Sequence, residues 1–200
     1  MAKKSEGKLF EEQFKKNAPD YAMVYRLPDQ AQVYAYSDKI RFTQKNPCDY
    51  LMWDSRARQL YWLELKSTKS KSISFERTKD DKGMIHNHQI AGLERFSKWA
   101  GVICGFVIEY RSETDPLTIF IEINNFIQLL RRMPKKSFTV EDLKTYEIPY
   151  MVIPQTKKRV RYSYDIDGWL RMMRPDYKGE DDDGGIFDPC RIGASNIQGA

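Results

Sequence analysis

Three side chains in this 200-residue chain have the types and spacing to do chemistry together: Asp49, Glu64 and Lys66. The stretch Leu60-Tyr61-Trp62-Leu63-Glu64-Leu65-Lys66 reads as a strand, apolar and aromatic, without Gly or Pro. Its first residues are apolar on both alternating faces, as in a central strand covered on both sides. Glu64 and Lys66 then fall two apart, on one face, with α-carbons roughly 6.6 Å apart. Charges beside a buried strand are costly unless they are paired or bind a cation. Asp49, in Pro47-Cys48-Asp49-Tyr50, stands just before the apolar Leu51-Met52-Trp53. An acid, a hairpin and then Glu-x-Lys is the layout that metal-dependent phosphodiester hydrolysis needs. A surface salt bridge at a strand end, or an acid in a turn, presents the same residues one at a time; the combination carries the reading.

Hydrolysing a phosphodiester requires neutralised charge on the phosphate, an activated water and a stabilised leaving oxygen, and one or two Mg²⁺ ions supply all three. Mg²⁺ prefers oxygen ligands and keeps several waters, so few protein ligands suffice. Asp49 and Glu64 would serve as carboxylates and the backbone carbonyl of Leu65 as a third oxygen. Glu11 could reach a second metal, or its waters, from the first helix. Lys66 would orient the water or stabilise the transition-state charge. Gln89 could hold a water or phosphate from the side. The polar and basic run after the strand offers Thr68, Lys69 and Lys71 to phosphates. His86 and His88, two apart on a helix, should not converge on a metal; a helix cap or phosphate contact suits them better.

The elements that must position these groups follow from periodicity. Glu6 to Lys16 reads as a helix with Phe10 and Phe14 on one face. Tyr21 to Arg26 reads as a short strand. Asp49 to Trp53 and Leu60 to Lys66 form a hairpin around residues 54–59. Ser72 to Phe75 is extended, and Glu76 to Gly83 a charged, exposed excursion. His86 to Trp99 is a helix ended by Gly101. Val102 to Ile108 and Thr118 to Ile123 are strands. Phe126 to Arg132 is a short helix, Thr139 opens a helical turn, and Asp167 to Met173 is a short amphipathic helix. That order predicts an α/β fold with a central mixed β-sheet flanked by helices.

The net charge of +5 is unevenly spread. Six acids against Lys178 and Arg191 leave residues 175–200 at net −4 and the rest at +9. A basic body fits a polyanionic partner. Residues 30–46 mix aromatics with Lys39, Arg41 and Lys45, as in a loop near nucleic acid. No apolar run reaches a membrane span, and the first residues lack a signal-peptide core, so a cytoplasmic protein is expected. Cys48, Cys104 and Cys190 fit neither a disulfide framework nor a zinc site. The expected organisation is one domain over 1–174 and an acidic, flexible tail over 175–200.

Several motifs together resemble the RecU family of Holliday junction resolvases, within the restriction-endonuclease-like, PD-(D/E)xK nuclease superfamily. They are Gly7-Lys8-Leu9-Phe10-Glu11, Cys48-Asp49-Tyr50, the run Leu63 to Lys71, His86-Asn87-His88-Gln89-Ile90, the strand Gly101 to Ile108, and Tyr164-Asp165-Ile166. The resemblance implies an Mg²⁺- or Mn²⁺-dependent endonuclease, a homodimer that cuts two opposed strands of a four-way junction. Asp49 and Glu64 would ligate metal, Lys66 would be the catalytic lysine, and Glu11 and Gln89 would complete the site. It also implies a protruding stalk, here about Gln30 to Asn46 and several residues shorter than in that family. Short chains of this kind look like phage-encoded versions. A shortened stalk leaves two alternatives: a nuclease of the same fold acting on flaps, ends or duplex DNA, and a non-catalytic DNA-binding module.

Overall fold

The structure, a computed structural model, describes residues 5–28, 46–159 and 161–174. The expected protrusion with Lys39, Arg41 and Lys45, and the acidic tail, lie outside the described residues.

The architecture is α/β. A central six-stranded mixed sheet runs in the order β1 (Ala22–Arg26), β2 (Tyr50–Asp54), β3 (Gln59–Thr68), β5 (Val102–Tyr110), β6 (Leu117–Glu122) and β8 (Met151–Val152). Only β3 and β5 pair in parallel; the other neighbours are antiparallel. Between them the chain crosses over through β4 (Ser72–Ser74) and helix α2 (Asn87–Phe96). β4 pairs with β7 (Ser137–Thr139), and β9 (Gln155–Lys157) with β10 (Tyr162–Tyr164), as two small outlying ribbons.

Helices cover both faces of the sheet. Helix α1 (Glu6–Lys16) and helix α5 (Ile166–Met172) close one face. There Phe10, Phe14, Tyr61, Leu63, Phe120 and Trp169 form one buried cluster, with the Trp169 ring 5.1 Å from Phe120 and 5.5 Å from Tyr61. Truncating such a ring typically costs about 3–5 kcal/mol. The other face packs under α2, α3 (Ile123–Arg132) and α4 (Val140–Thr145), around Phe75, Phe106, Phe126 and Phe138. α1 begins where Ser5 accepts from the Lys8 amide, with Glu6 in its first turn and Lys15 and Lys16 in its last, matching the helix dipole.

The β3 strand sits between β2 and β5, and its even and odd residues serve different cores. Tyr61, Leu63 and Leu65 face α1 and α5, whereas Trp62 packs on the α2 side, stacked 3.9 Å from Phe96. Glu64 and Lys66 share the Trp62 face by the same alternation. In β5, Gly105 is required: a Cβ there would meet the Ile121 carbonyl at 2.4 Å and the Phe120 ring at 2.6 Å.

One expectation is corrected. The helix after the crossover stops at Phe96 rather than Trp99, because Ser97 caps it, and Trp99 is left exposed. The excursion after Phe75 exposes Thr78, Lys79, Asp80 and Lys82, as expected, and is also tied to the body of the molecule. A Phe75–Ile85 bridge closes it, and the Arg77 guanidinium donates to the carbonyls of Leu130 (2.8 Å), Met133 and Lys135 (2.9 Å) at the end of α3.

Candidate active site

Strand register brings the two acids together. Tyr50 pairs with Leu63 at the end of the β2–β3 ladder, so one residue further Asp49 falls opposite Glu64. Directly opposed side chains in an antiparallel pair have Cβ atoms about 5 Å apart, and like charges there repel. Asp49 lies close enough to the Glu64 carboxyl to raise its pKa. Both acids also lie close enough to the buried Cys48 thiol to help burial hold its proton.

Glu64 is 1% exposed. Its Oε1 accepts from Lys66 Nζ at 2.8 Å and from Gln89 Nε2. Its Oε2 is buried without a hydrogen-bond donor. Burial, outweighing the nearby Lys66 ammonium and reinforced by Asp49, raises the Glu64 pKa to about 8. A buried, undonated carboxylate oxygen with a second acid nearby is a poor place for two negative charges and a good one for a cation.

The backbone adds a further oxygen. The Leu60 amide bonds to Gly101 (2.8 Å) and the Thr68 carbonyl accepts from Arg111 N (2.7 Å), so even-numbered β3 residues point their polar backbone groups towards β5. Leu65 therefore points its carbonyl the other way, where the β2 ladder has already ended at Tyr50. Among the described residues no three His, Cys, Asp or Glu side chains gather to hold a metal. Two carboxylates and a carbonyl fit Mg²⁺ or Mn²⁺ in that setting, since such hard ions keep several waters.

Helix α2 supplies the next layer. Its first turn points at the end of β3, and Gln89 is 7% exposed. The Gln89 Oε1 accepts from the His86 amide at 2.9 Å while its Nε2 holds Glu64. The side chain thus fastens a carboxylate oxygen to the helix start, a role its spacing from the strand did not reveal. Gly92 lets α2 lie close to the Asp49 segment, for a Cβ there would meet Pro47 Cβ at 2.5 Å.

The remaining expected residues are placed as follows. Glu11 accepts from the Tyr50 hydroxyl (3.1 Å) and from Arg26 Nε (3.2 Å), on the α1 side of the sheet, away from the Glu64 face. Thr68 is buried and its hydroxyl accepts from the Ser70 amide (3.0 Å), so it shapes the loop that exposes Lys69 and Lys71. His86 takes the N-cap of α2, and its ring stacks on that of His88 at 5.4 Å and 15°. They meet because His86 is the extended N-cap of α2 and not a helical residue.

Sequence reasoning missed a second buried acid at the same end of the sheet, on the α1 face. Glu109 lies one residue before the end of β5, much as Glu64 ends the apolar part of β3, and it pairs in register with Ser67. Its carboxylate accepts from the Tyr164 hydroxyl (2.6 Å) and from Ser67 Oγ, and Arg111 Nε donates to Ser67 Oγ at 2.7 Å. Burial, then Glu109, pushes the Tyr164 hydroxyl pKa far up. Both Glu109 oxygens have donors, so this network ties β3, β5 and β10 together and leaves no vacancy for a ligand. The signal in the sequence was an acid closing the run Val102 to Tyr110, the same signal that marked Glu64.

No protein-family model matches the chain. It is 29% identical over 183 residues to the SPbeta prophage-derived uncharacterized protein YotM of Bacillus subtilis (strain 168), covering 84% of this chain and 86% of that protein. Among solved structures it is similar to Hjc of Archaeoglobus fulgidus, a Holliday junction resolvase from an archaeal hyperthermophile. That likeness has a TM-score of 0.38 and 14% identity, and covers 69% of this chain and 88% of the other. These are what the chain is similar to; at such values the structural likeness does not reach its activity.

Proposed function

We propose that the chain is a divalent-cation-dependent DNA endonuclease that hydrolyses phosphodiesters in branched DNA, four-way junctions above all. The observation that supports this most is the meeting of Asp49 and Glu64 at one end of β3, with the Lys66 ammonium 2.8 Å from Glu64. Asp49, Glu64 and the Leu65 carbonyl would hold Mg²⁺ or Mn²⁺. The bound ion supplies Lewis-acid charge for the scissile phosphate and lowers the pKa of water.

The chain's own groups have separate tasks. Glu64 must lose its proton to hold a cation, so loading strengthens as pH rises through about 8. With Glu64 engaged as a cation ligand, Lys66 would donate towards the attacking water or the charge developing on phosphate. Gln89 keeps the Glu64 carboxylate oriented. Glu11, now paired with Arg26, is positioned to act only by exchanging that partner. Lys69 and Lys71, with His86 and His88 at the start of α2, would contact flanking phosphates. Lys39, Arg41 and Lys45 belong to the proposed contact surface on sequence alone.

Two strands of a junction call for two sites, and a two-fold dimer supplies them. Met23, Tyr25 and Trp53 suit that contact: they are 59%, 53% and 37% exposed, and Met23 pairs with Trp53 across the β1–β2 ladder at the sheet's edge. The prophage origin printed for the 29%-identical relative accords with a phage-type resolvase.

The test is cleavage of a four-way junction, a flap and a linear duplex in Mg²⁺. Paired cuts in the junction are expected, falling about a hundredfold or more with Asp49→Asn or Glu64→Gln. Equal cutting by both variants removes the site assignment. Preference for flap or linear duplex moves the reading to a same-fold nuclease of another substrate.

A further inference from the structure

Four residues form a hydrogen-bonded chain from the surface of the crossover to the buried carboxylate. Glu76, just after β4, takes the His86 ring Nδ1 on Oε1 at 2.7 Å and the Asn87 amide on Oε2 at 2.9 Å. Its carboxyl pKa is lowered, first by the Asn87 amide and then by the His86 ring. The His86 amide donates to Gln89 Oε1 at 2.9 Å, and Gln89 Nε2 donates to Glu64 Oε1. Each member has its partner's geometry set by the one before it. The Phe75–Ile85 bridge holds Glu76 beside the helix start, and Gly83 permits the close approach, since a Cβ there would meet the Phe75 backbone at 2.6 Å.

We propose that Glu76 is a positioning residue for the cation site, acting through His86 and Gln89 to aim the Glu64 carboxylate. This rests on the reading of Asp49 and Glu64 as cation ligands. The physical reason is the freedom of the parts. A glutamine side chain with one end unheld samples several rotamers, and Glu64 Oε2 has no donor of its own to fix the carboxylate plane. Fixing the first turn of α2 through its capping residue removes that freedom at both ends of Gln89. Outer-shell groups of this kind alter metal affinity without touching the metal. Removing Glu76 should leave the strand pairing intact, because its bonds reach only the crossover and the first turn of α2.

The test uses Mn²⁺ titrated calorimetrically into metal-free protein: wild type, Glu76→Ala, Glu76→Gln, Gln89→Ala and the Glu76→Ala/Gln89→Ala pair. Glu76→Ala should weaken Mn²⁺ about tenfold. Glu76→Gln, which keeps an oxygen for the Asn87 amide and offers its NH₂ to the His86 ring once Nδ1 carries no proton, should recover most of that loss at a pH where the ring is neutral. The double variant should bind no more weakly than Gln89→Ala alone, since both changes cut one chain. Wild-type affinity in Glu76→Ala, or losses that multiply in the double variant, overturns the proposal. A second readout needs no metal: the Gln89 side-chain amide signals of ¹⁵N-labelled protein. These should be shifted and slow to exchange in wild type and collapse to those of a free glutamine in Glu76→Ala; unchanged signals overturn the proposal. Wild type that takes up no Mn²⁺ would instead sink the cation-site reading, with the amide signals still deciding the relay.

Discussion

Glu64 carries the chemical tension of the molecule. Its folded-state pKa of about 8 lies above the ordinary 4.5, so the folded chain holds this proton more tightly than the unfolded chain does. The associated stability is fully present below about pH 4.5 and is lost as pH rises through about 8. Glu64→Gln removes the charge and keeps the shape. At pH 9 without metal it should raise the thermal midpoint by about 5 °C, and the gap should close near pH 4. Mn²⁺ should stabilise the wild type at pH 9 and leave Glu64→Gln unmoved. Thermal unfolding at the two pH values checks both; a variant less stable than wild type at pH 9 contradicts the assignment of the shift. The acid-hairpin-acid-lysine spacing was readable from the chain because strand alternation and hairpin register are local rules. The grip of Gln89 on Glu64 was not, since it depends on how a helix 25 residues away docks on the strand.

At the scale of elements, α2 is the part that sets the site. It presents Gln89 to Glu64, stacks Phe96 on Trp62, and backs the segment before Asp49. Gly92→Ala favours the helix by about 1 kcal/mol in propensity, yet its Cβ would collide with Pro47 Cβ at 2.5 Å and crowd Pro47 Cα at 3.0 Å. The outcome expected is a net loss of about 1–2 kcal/mol with a larger loss of cleavage than that destabilisation explains, because Asp49 is pushed away from Glu64. Urea unfolding alongside junction cleavage separates the two; full activity would show that the Pro47 contact does not place Asp49. Helix α1 was legible to its ends, Glu6 and Lys16, because capping, dipole-matching charges and the Phe10/Phe14 stripe agree. The β2–β3 hairpin and the central strands were legible from apolar runs. The extended Ser72 to Phe75 was legible too; its partner β7 and the ribbon β9–β10 were not, because three-residue strands are too short to show a period and form only where distant segments meet.

For the whole molecule, the proposed function requires the basic body and the proposed cation site to act on the same polyanion. DNA affinity should fall steeply and log-linearly with salt. Replacing Lys69 and Lys71 together by Ala should reduce that slope by about 2, measured by fluorescence anisotropy on a four-way junction; an unchanged slope would remove those lysines from the interface. Tyr25→Glu, placing a charge on the exposed β1–β2 stripe, should convert a dimer into monomers in sedimentation velocity while leaving the midpoint of unfolding of each chain nearly unchanged. A dimer that persists would send the interface elsewhere. The sheet, the crossover and α2 are arranged about a single point, where β2 ends and β3 runs on. The most direct measurement there is an anomalous-difference map from Mn²⁺-soaked crystals. The account predicts a peak about 2 Å from carboxylate oxygens of both Asp49 and Glu64 and from the Leu65 carbonyl. A map with no peak there, or one in which the two carboxylates have turned to opposite faces of the sheet, would contradict it.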